Sequence, residues 1–207
     1  MSRRFKKRRY GKKRSQFSKM KADVKLLKKS IERKFYETPN NSVDVNSTGS
    51  SVCLNTIKQG HTVDDRIGNE VTARRLTVRG YFYNNHGTPE DCVIRMLIVR
   101  AIDQNNVKQE IGNVLKTINV NSHANSGNRK RFQILSDQTF AMDTSSHSII
   151  PFYFTTKIKS TVIYSNDNGA ATDIRTGAYY IMYFSTVSGV TNDPLVSYIS
   201  RFYYVDA

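Results

Sequence analysis

The sequence predicts an all-β protein, a single eight-stranded antiparallel jelly roll behind a disordered basic N-terminal arm. Beyond about residue 50, apolar and polar residues alternate with a period of two, and Gly, Asn and Asp separate runs rich in Val, Ile, Thr, Tyr and Phe. No long helical pattern lies between these runs, which favours antiparallel sheets packed as a sandwich or barrel. The positive charge lies almost entirely at one end of the chain, so an arm and a body are expected.

The arm is defined by its charge. Residues 1–34 contain 16 Lys/Arg and two acidic residues, a net of +14, whereas the other 173 residues contain 16 Lys/Arg and 15 Asp/Glu, a net of +1. A segment so rich in charge cannot bury enough apolar surface to offset the entropy of ordering. We expect residues 1–36 to be a disordered or partly helical arm, residues 37–49 a polar linker rich in Asn and Ser, and residues 50–207 one domain.

A short helix is predicted near the end of the arm. Val24, Leu27, Ile31 and Phe35 recur at helical spacing, but the remaining face is mostly Lys. Such a helix is marginal alone, and it would form on docking to the body, to a neighbouring subunit or to a polyanion. A frayed extension of the arm is the alternative.

The predicted strands differ in how much of their surface they bury. In residues 74–84, Leu76, Val78 and Phe82 point to one face and Arg75 and Arg79 to the other, which indicates one dry face. The run 92–103 is apolar almost throughout, as expected for a central strand. The predicted strands comprise residues 51–57, 74–84, 92–103, 130–142, 151–159, 160–165, 177–187 and 196–206.

The interval 104–129 is too long and polar for a tight hairpin, although VLKTI hints at a short extra element. We expect it to be a surface-exposed insertion. Cys53 and Cys92 lie in apolar stretches without a partner at CxxC spacing, which predicts a buried, reduced pair.

No catalytic constellation is found, so no enzyme, cofactor or metal site is predicted. The sequence lacks GxxxxGK[ST], HExxH, GxSxG and the HxH pair of a nicking endonuclease, and its four histidines are scattered singly. Asp64 and Asp65 are adjacent, but no third acidic residue supports them as nuclease ligands, and we expect them to form a turn. No run approaches the roughly 20 apolar residues of a membrane-spanning helix.

The arm points to nucleic acid. A polycation displaces the counterions around phosphates and binds without sequence preference, and Phe5, Tyr10 and Phe17 between the charges can stack on unpaired bases. The dense RRFKKRRYGKKR block also suits nuclear import, and the two uses are compatible. The binding set is expected to be Arg3, Arg4, Lys6, Lys7, Arg8, Arg9, Lys12, Lys13, Arg14, Lys19 and Lys21.

Several passages resemble the capsid proteins of circovirus-like viruses, which have circular single-stranded DNA genomes and encode a replication protein. A basic arm and polar linker precede IKQGHTVDDRIGNEVTARRLTVRGYF, with Gly60, Arg66, Gly68, Arg79 and Gly80 at the family's recurrent positions. VIRMLIVRAIDQNN, RFQILSDQTFAM and the closing SRFYYVDA are similar to later strands of that family. The resemblance covers most of the chain, although each motif alone is loose.

The resemblance implies a jelly roll of two four-stranded sheets that forms a wedge, with about sixty copies closing a small T=1 icosahedral shell. About sixty arms would supply roughly 840 positive charges, enough for a genome on the order of a thousand phosphates. The expected partners are single-stranded DNA in preference to RNA, further copies of the chain and the nuclear import machinery. The expected locations are the virion and the host nucleus, without membrane insertion.

Two other functions stay open at this point. A satellite-type coat protein that packages single-stranded RNA has a similar jelly roll and arm. A non-viral nucleic-acid-binding barrel should instead carry basic and aromatic residues on one sheet face of its body, and the net charge of +1 argues against it.

Overall fold

The computed structural model divides the chain into two units, Met1–Glu32 and Arg33–Ala207. In the first unit, α1 spans Gln16–Ser30, a stretch without Gly or Pro in which five of the 15 residues are Lys. Val24 and Leu27 of the predicted stripe belong to this helix, Ile31 is outside the described residues, and Phe35 lies in a strand of the second unit. The described residues are 16–30, 33–84, 90–143, 149–188 and 193–206.

The second unit is built from eight antiparallel strands, which confirms the predicted fold class. Short helices interrupt the connections, namely α2 at Ile111–Val114 and 3-10 turns at Ser126–Asn128 and Ala171–Asp173. The strands are β1 Lys34–Asp44, β2 Ser50–Cys53, β3 Glu70–Tyr83, β4 Cys92–Asp103, β5 Phe132–Met142, β6 Ile149–Tyr164, β7 Ile174–Ser185 and β8 Leu195–Asp206.

The strand order gives two groups of four, β1-β8-β3-β6 and β2-β7-β4-β5. A short ladder between β6 and β7, with Ile163 opposite Thr176 and Tyr164 opposite Ile174, joins the groups into one continuous eight-stranded sheet. The predicted pair of separate four-stranded sheets is therefore continuous at this corner.

The core lies between the two groups. The rings of Tyr179 on β7 and Phe202 on β8 are 5.4 Å apart, and those of Phe82 on β3 and Phe140 on β5 are 5.3 Å apart. All four residues except Phe140 are at most 1% exposed. Burial of these rings stabilises the domain, because apolar area removed from water scales with side-chain size.

The alternation on β3 is confirmed. Leu76, Val78 and Phe82 are fully buried, whereas Arg75 and Arg79 are exposed. A β-bulge between Ala73 and Arg75 keeps the inward positions in phase on both sides of it.

Strand β4 is buried on both faces, as its apolar run predicts. One face packs into the core, and the segment after the strand covers the outer face of the β2-β7-β4-β5 group. The Gln109 backbone N–H donates to the Tyr180 hydroxyl of β7 at 3.3 Å, and Ile111, Val114 and Leu115 are buried. Most polar residues of the interval 104–129 are exposed, as expected, but Gln104 and Gln109 are buried together with the apolar residues of its underside.

Two strand assignments differ from the sequence prediction. Most of the predicted linker 37–49 belongs to β1, which pairs with β8 from Lys34 opposite Tyr204 to Asp44 opposite Leu195. β1 is an edge strand paired only with β8, and Lys34 is its only buried residue, so its composition is polar. The predicted strands 151–159 and 160–165 form the single strand β6.

Both cysteines are free and buried, as predicted. Among the described residues, no helix is long and apolar enough to cross a membrane, and no group of three or more His, Cys, Asp or Glu is placed to hold a metal ion.

Candidate nucleic-acid interface

The predicted arm residues divide into two sets. Lys19 and Lys21 lie on α1, where both are exposed, and the Lys21 Nζ is 4.6 Å from the centre of the Phe17 ring. These two ammonium groups are available to a polyanion. The other nine lie outside the described residues: Arg3, Arg4, Lys6, Lys7, Arg8, Arg9, Lys12, Lys13 and Arg14.

Lys34 fixes the point at which the chain enters the sheet. Its Nζ is 2.9 Å from Asp206 Oδ2 and donates to the Asp65 carbonyl oxygen at 3.0 Å, and the side chain is only 6% exposed. The Ile67 backbone N–H donates to Asp206 Oδ1 at 3.2 Å. Because a buried ammonium ion needs such partners, the start of β1 is tied to both the last strand and the loop before β3.

The outer face of the β1-β8-β3-β6 group gathers arginine and aromatic side chains. Residues directly opposite in antiparallel strands share a face. Arg75 lies opposite Tyr203, and Arg79 lies opposite Tyr153. Arg201 is opposite Glu37 on β1. We call Phe35, Arg75, Arg79, Tyr153, Arg201 and Tyr203 together the arginine face.

Each arginine of this face lies over a ring. The guanidinium carbon of Arg79 is 4.9 Å from the centre of the Tyr153 ring, and that of Arg75 is 5.8 Å from the Tyr203 ring. The guanidinium carbon of Arg201 is 4.7 Å from the Phe35 ring. Hydrogen bonding to Arg79 lowers the pKa of the Tyr153 hydroxyl. These contacts hold the guanidinium groups flat against the sheet.

A groove of about 920 Å³ runs along this face. Its charged lining consists of Arg75, Arg79, Arg201 and Glu37, and Glu37 Oε1 is 2.5 Å from Arg201 Nη2. The groove thus contains three arginines and one carboxylate, and that carboxylate is paired with Arg201. The sequence prediction considered only the net charge of the whole body and missed this local excess of positive charge. The alternation on β3, which points Arg75 and Arg79 outward, was the sequence signal that could have revealed it.

The adjacent Asp64 and Asp65 stabilise a loop, as predicted. The Asp65 N–H donates to the Thr62 carbonyl at 3.1 Å, and Asp65 Oδ2 accepts from the Thr62 N–H at 3.1 Å. The hydrogen bond from the Thr62 side chain holds the pKa of Asp65 below its usual value. The Tyr204 hydroxyl donates to the Asp64 carbonyl. Both residues thus have structural partners within the fold.

An antiparallel jelly-roll-like domain that follows a basic N-terminal segment is an arrangement typical of shell-forming coat proteins, and jelly rolls are common in viral capsids. The family model described as "Satellite tobacco necrosis virus coat protein" matches residues 1–206, and the chain belongs to this family. Its role is that of a coat protein in a virus particle, and it is not an enzyme.

Solved structures give weaker similarities. Desmodium yellow mottle tymovirus matches with 9% identity and a TM-score of 0.40, over 85% of this chain and 88% of that chain. Turnip yellow mosaic virus matches with 10% identity and a TM-score of 0.38, over 86% and 95%. PorU from Porphyromonas gingivalis has 8% identity and a TM-score of 0.39, over 85% and 13%. No curated protein matches the chain. The family assignment rests on the match over residues 1–206.

The resemblance to circovirus-like capsid proteins is wrong, because the matching family is that of a satellite virus coat protein. The predicted single-stranded DNA genome is therefore also wrong, and the family match gives no support for entry into the host nucleus. Two of the residues that carried the resemblance, Arg66 and Gly80, serve the fold. Arg66 is fully buried, and a Cβ atom at Gly80 would lie 2.5 Å from the Ser197 carbonyl oxygen. Such residues report packing in a jelly roll rather than the type of genome.

Proposed function

We propose that the chain is the coat protein of a small satellite-type virus and packages single-stranded RNA through its basic arm. Family membership supports the coat role. The charge distribution carries the packaging role, because residues 1–34 have a net charge of +14 and the remaining 173 residues only +1. A nearly neutral body suits subunits that must lie side by side, and a polycationic arm suits a phosphate backbone.

Assembly follows from repetition of one subunit contact. Identical subunits close a shell when their heterologous contacts obey point-group symmetry, and the smallest icosahedral case uses about sixty copies. The basic arm precedes β1 in the chain, and its eleven Lys and Arg residues from Arg3 to Lys21 form the redundant binding set described above. Redundancy is expected because counterion release depends on the number of charges and not on their order.

The test compares two arm variants in purified particles. In the first, the eleven Lys and Arg residues between Arg3 and Lys21 become Gln, and we expect a folded protein that retains almost no nuclease-protected nucleic acid. In the matched control, each Lys of this set becomes Arg and each Arg becomes Lys, which preserves the charge. We expect the control to package RNA like the unaltered protein.

The contents are extracted and treated with RNase or DNase, and particles are counted by negative-stain electron microscopy. RNase-sensitive contents that disappear with the Gln variant support the proposal. DNase-sensitive contents would overturn the RNA assignment. Wild-type packaging by the Gln variant would overturn the role of the arm.

A further inference from the structure

We infer that the arginine face is a second binding site for single-stranded RNA, separate from the arm and built into the body of the coat protein. The inference rests on the proposed packaging of RNA and names where a strand would lie on the folded domain. Its residues come from four strands: β1, β8, β3 and β6.

The chemistry of the face matches an unpaired strand. Tyr153 is 52% exposed and Tyr81 is 43% exposed, so part of each ring is open to bases, next to the Arg79 guanidinium that lies over Tyr153. Arg75 and Arg79 lie on the same face of β3, four residues apart, with guanidinium groups that can form paired hydrogen bonds to phosphate oxygens. Stacking requires bases that are not already paired, which selects single strands over duplex.

The distribution of charge favours a polyanion over a second copy of this chain. The central groove holds three arginines and one carboxylate, Glu37, which is paired with Arg201. The other carboxylates on this outer face, Asp44 and Glu70, lie towards its margins, opposite Leu195 and Ile163. Two copies placed face to face would bring like charges together, whereas a phosphate backbone neutralises them.

The chain path supports the same occupant. The arm is covalently continuous with β1, whose first residue is Lys34, and the next residue, Phe35, is part of the arginine face. RNA captured by the arm is thereby held at high effective concentration near this face. On the opposite group, the segment that contains Gln109, Ile111 and Leu115 covers part of the outer face.

The experiment measures binding of a fluorescent oligouridine to the full chain in the arm-Gln background, so that the body's contribution is visible. We expect weak, salt-dependent binding there, which the added changes Arg75→Gln and Arg79→Gln reduce about tenfold. Loss of two phosphate contacts lowers the slope of log affinity against log salt by about 1.4. The matched control replaces Arg129 and Arg175, two exposed arginines outside the face, and should leave affinity within about twofold.

Stacking is tested separately at Tyr153, which is half exposed. Tyr153→Leu should weaken binding about fivefold, and Tyr153→Phe, which keeps the ring, should not. In the unaltered protein, ultraviolet cross-linking of oligouridine followed by mass spectrometry should label Tyr153 or Tyr203. This measurement does not depend on whether a variant folds.

The outcomes separate this inference from the proposed function. An arm-Gln protein that binds as tightly as the wild type refutes packaging by the arm, whereas equal binding by the Arg75/Arg79 and Arg129/Arg175 variants refutes the face. Loss of particles with unchanged RNA binding in the Arg75/Arg79 variant would identify the face as a subunit interface and overturn the inference. Absence of cross-links on the arginine face would also overturn the inference.

Discussion

Arg66 is the residue whose removal should unfold the domain most readily, because its fully buried side chain joins two loops. Its Nε donates to the Ile57 carbonyl at 3.1 Å, and its Nη1 donates to the Gly68 carbonyl at 2.6 Å. Its Nη2 donates to the Asn166 carbonyl, and the guanidinium carbon is 4.2 Å from the centre of the Tyr164 ring. Two side-chain oxygens complete its hydrogen bonds, those of Gln59 and Asn69.

The cost of Arg66→Ala follows from these contacts. Three main-chain carbonyls lose a charged donor at a buried site, each worth about 1–3 kcal/mol, and the stacked plane on Tyr164 is lost as well. Since such losses are partly relieved by water, we expect about 4 kcal/mol in total, which is large against a usual stability of about 5–15 kcal/mol. For a domain of this size the melting temperature falls by about 8–16 °C.

The assay is urea unfolding of the full chain at one fixed protein concentration, because assembly stabilises the folded state. Tyrosine fluorescence and circular dichroism report it, since the chain has 12 Tyr and no Trp. Arg66→Lys keeps the charge but not the planar fork, and we expect about half the loss. Arg74→Ala, at an exposed arginine, should change stability by less than about 0.5 kcal/mol. A loss below about 1 kcal/mol for Arg66→Ala would refute this account of the loops.

Three further outcomes can be measured in the same way. Lys34→Met should lower the free energy of unfolding by about 3 kcal/mol, because Asp206 loses its buried partner. The control Lys108→Met breaks only the exposed 3.2 Å pair with Glu110 and should lower it by less than about 0.5 kcal/mol; equal losses would contradict the anchoring role of Lys34. Gly80→Ala should lower the melting temperature, because the added Cβ would lie 2.5 Å from the Ser197 carbonyl oxygen. A Cβ at Gly112 would have no atom within 4 Å, so Gly112→Ala should leave the melting temperature unchanged; an unchanged value for Gly80→Ala would show that β3 and β8 can move apart. Burial raises the pKa of the Cys53 and Cys92 thiols from 9.0 to about 11, so as pH rises the unfolded chain loses these protons before the folded protein does, and the stability they confer is full below about pH 9 and falls towards pH 11. If a variant with both cysteines changed to Ala loses as much stability at alkaline pH as the unaltered protein, the loss comes from other groups.

The strands that sequence analysis placed well are those whose pattern reports burial directly. β4 is buried on both faces and reads as a continuous apolar run, and β3 has one buried face and alternates. β1 was not identified because it pairs only with β8 and Lys34 is its only buried residue, so its polar composition is indistinguishable from that of a linker. β6 was divided because its Lys and Thr residues point to solvent and resemble a turn, although Ser160 is buried against the Tyr179 hydroxyl at 2.7 Å.

The candidate interface needed information that no single segment of sequence contains. Arg75 and Arg79 could be assigned to one outward face of β3 from alternation alone. Their neighbours Tyr153 and Tyr203 come from strands roughly 75 and 125 positions further along, and the strand order β8-β3-β6 brings them together. Net charge over the whole body averages this face with acidic loops elsewhere, and the average conceals the local excess.

The division of charge between arm and body has a physical consequence for assembly. Placing the arm's charge on the body would set like charges against each other at every subunit contact, and shell closure would then require counterions at each interface. Confining +14 to residues 1–34 leaves a body of +1, whose contacts can be made by packing and hydrogen bonds. Under this arrangement salt should act on the two processes unequally. Raising salt weakens RNA binding steeply through counterion release, whereas contacts between nearly neutral bodies respond weakly. RNA release at a salt concentration that leaves body-to-body association intact is therefore expected, and simultaneous loss of both would show that RNA itself holds the subunits together.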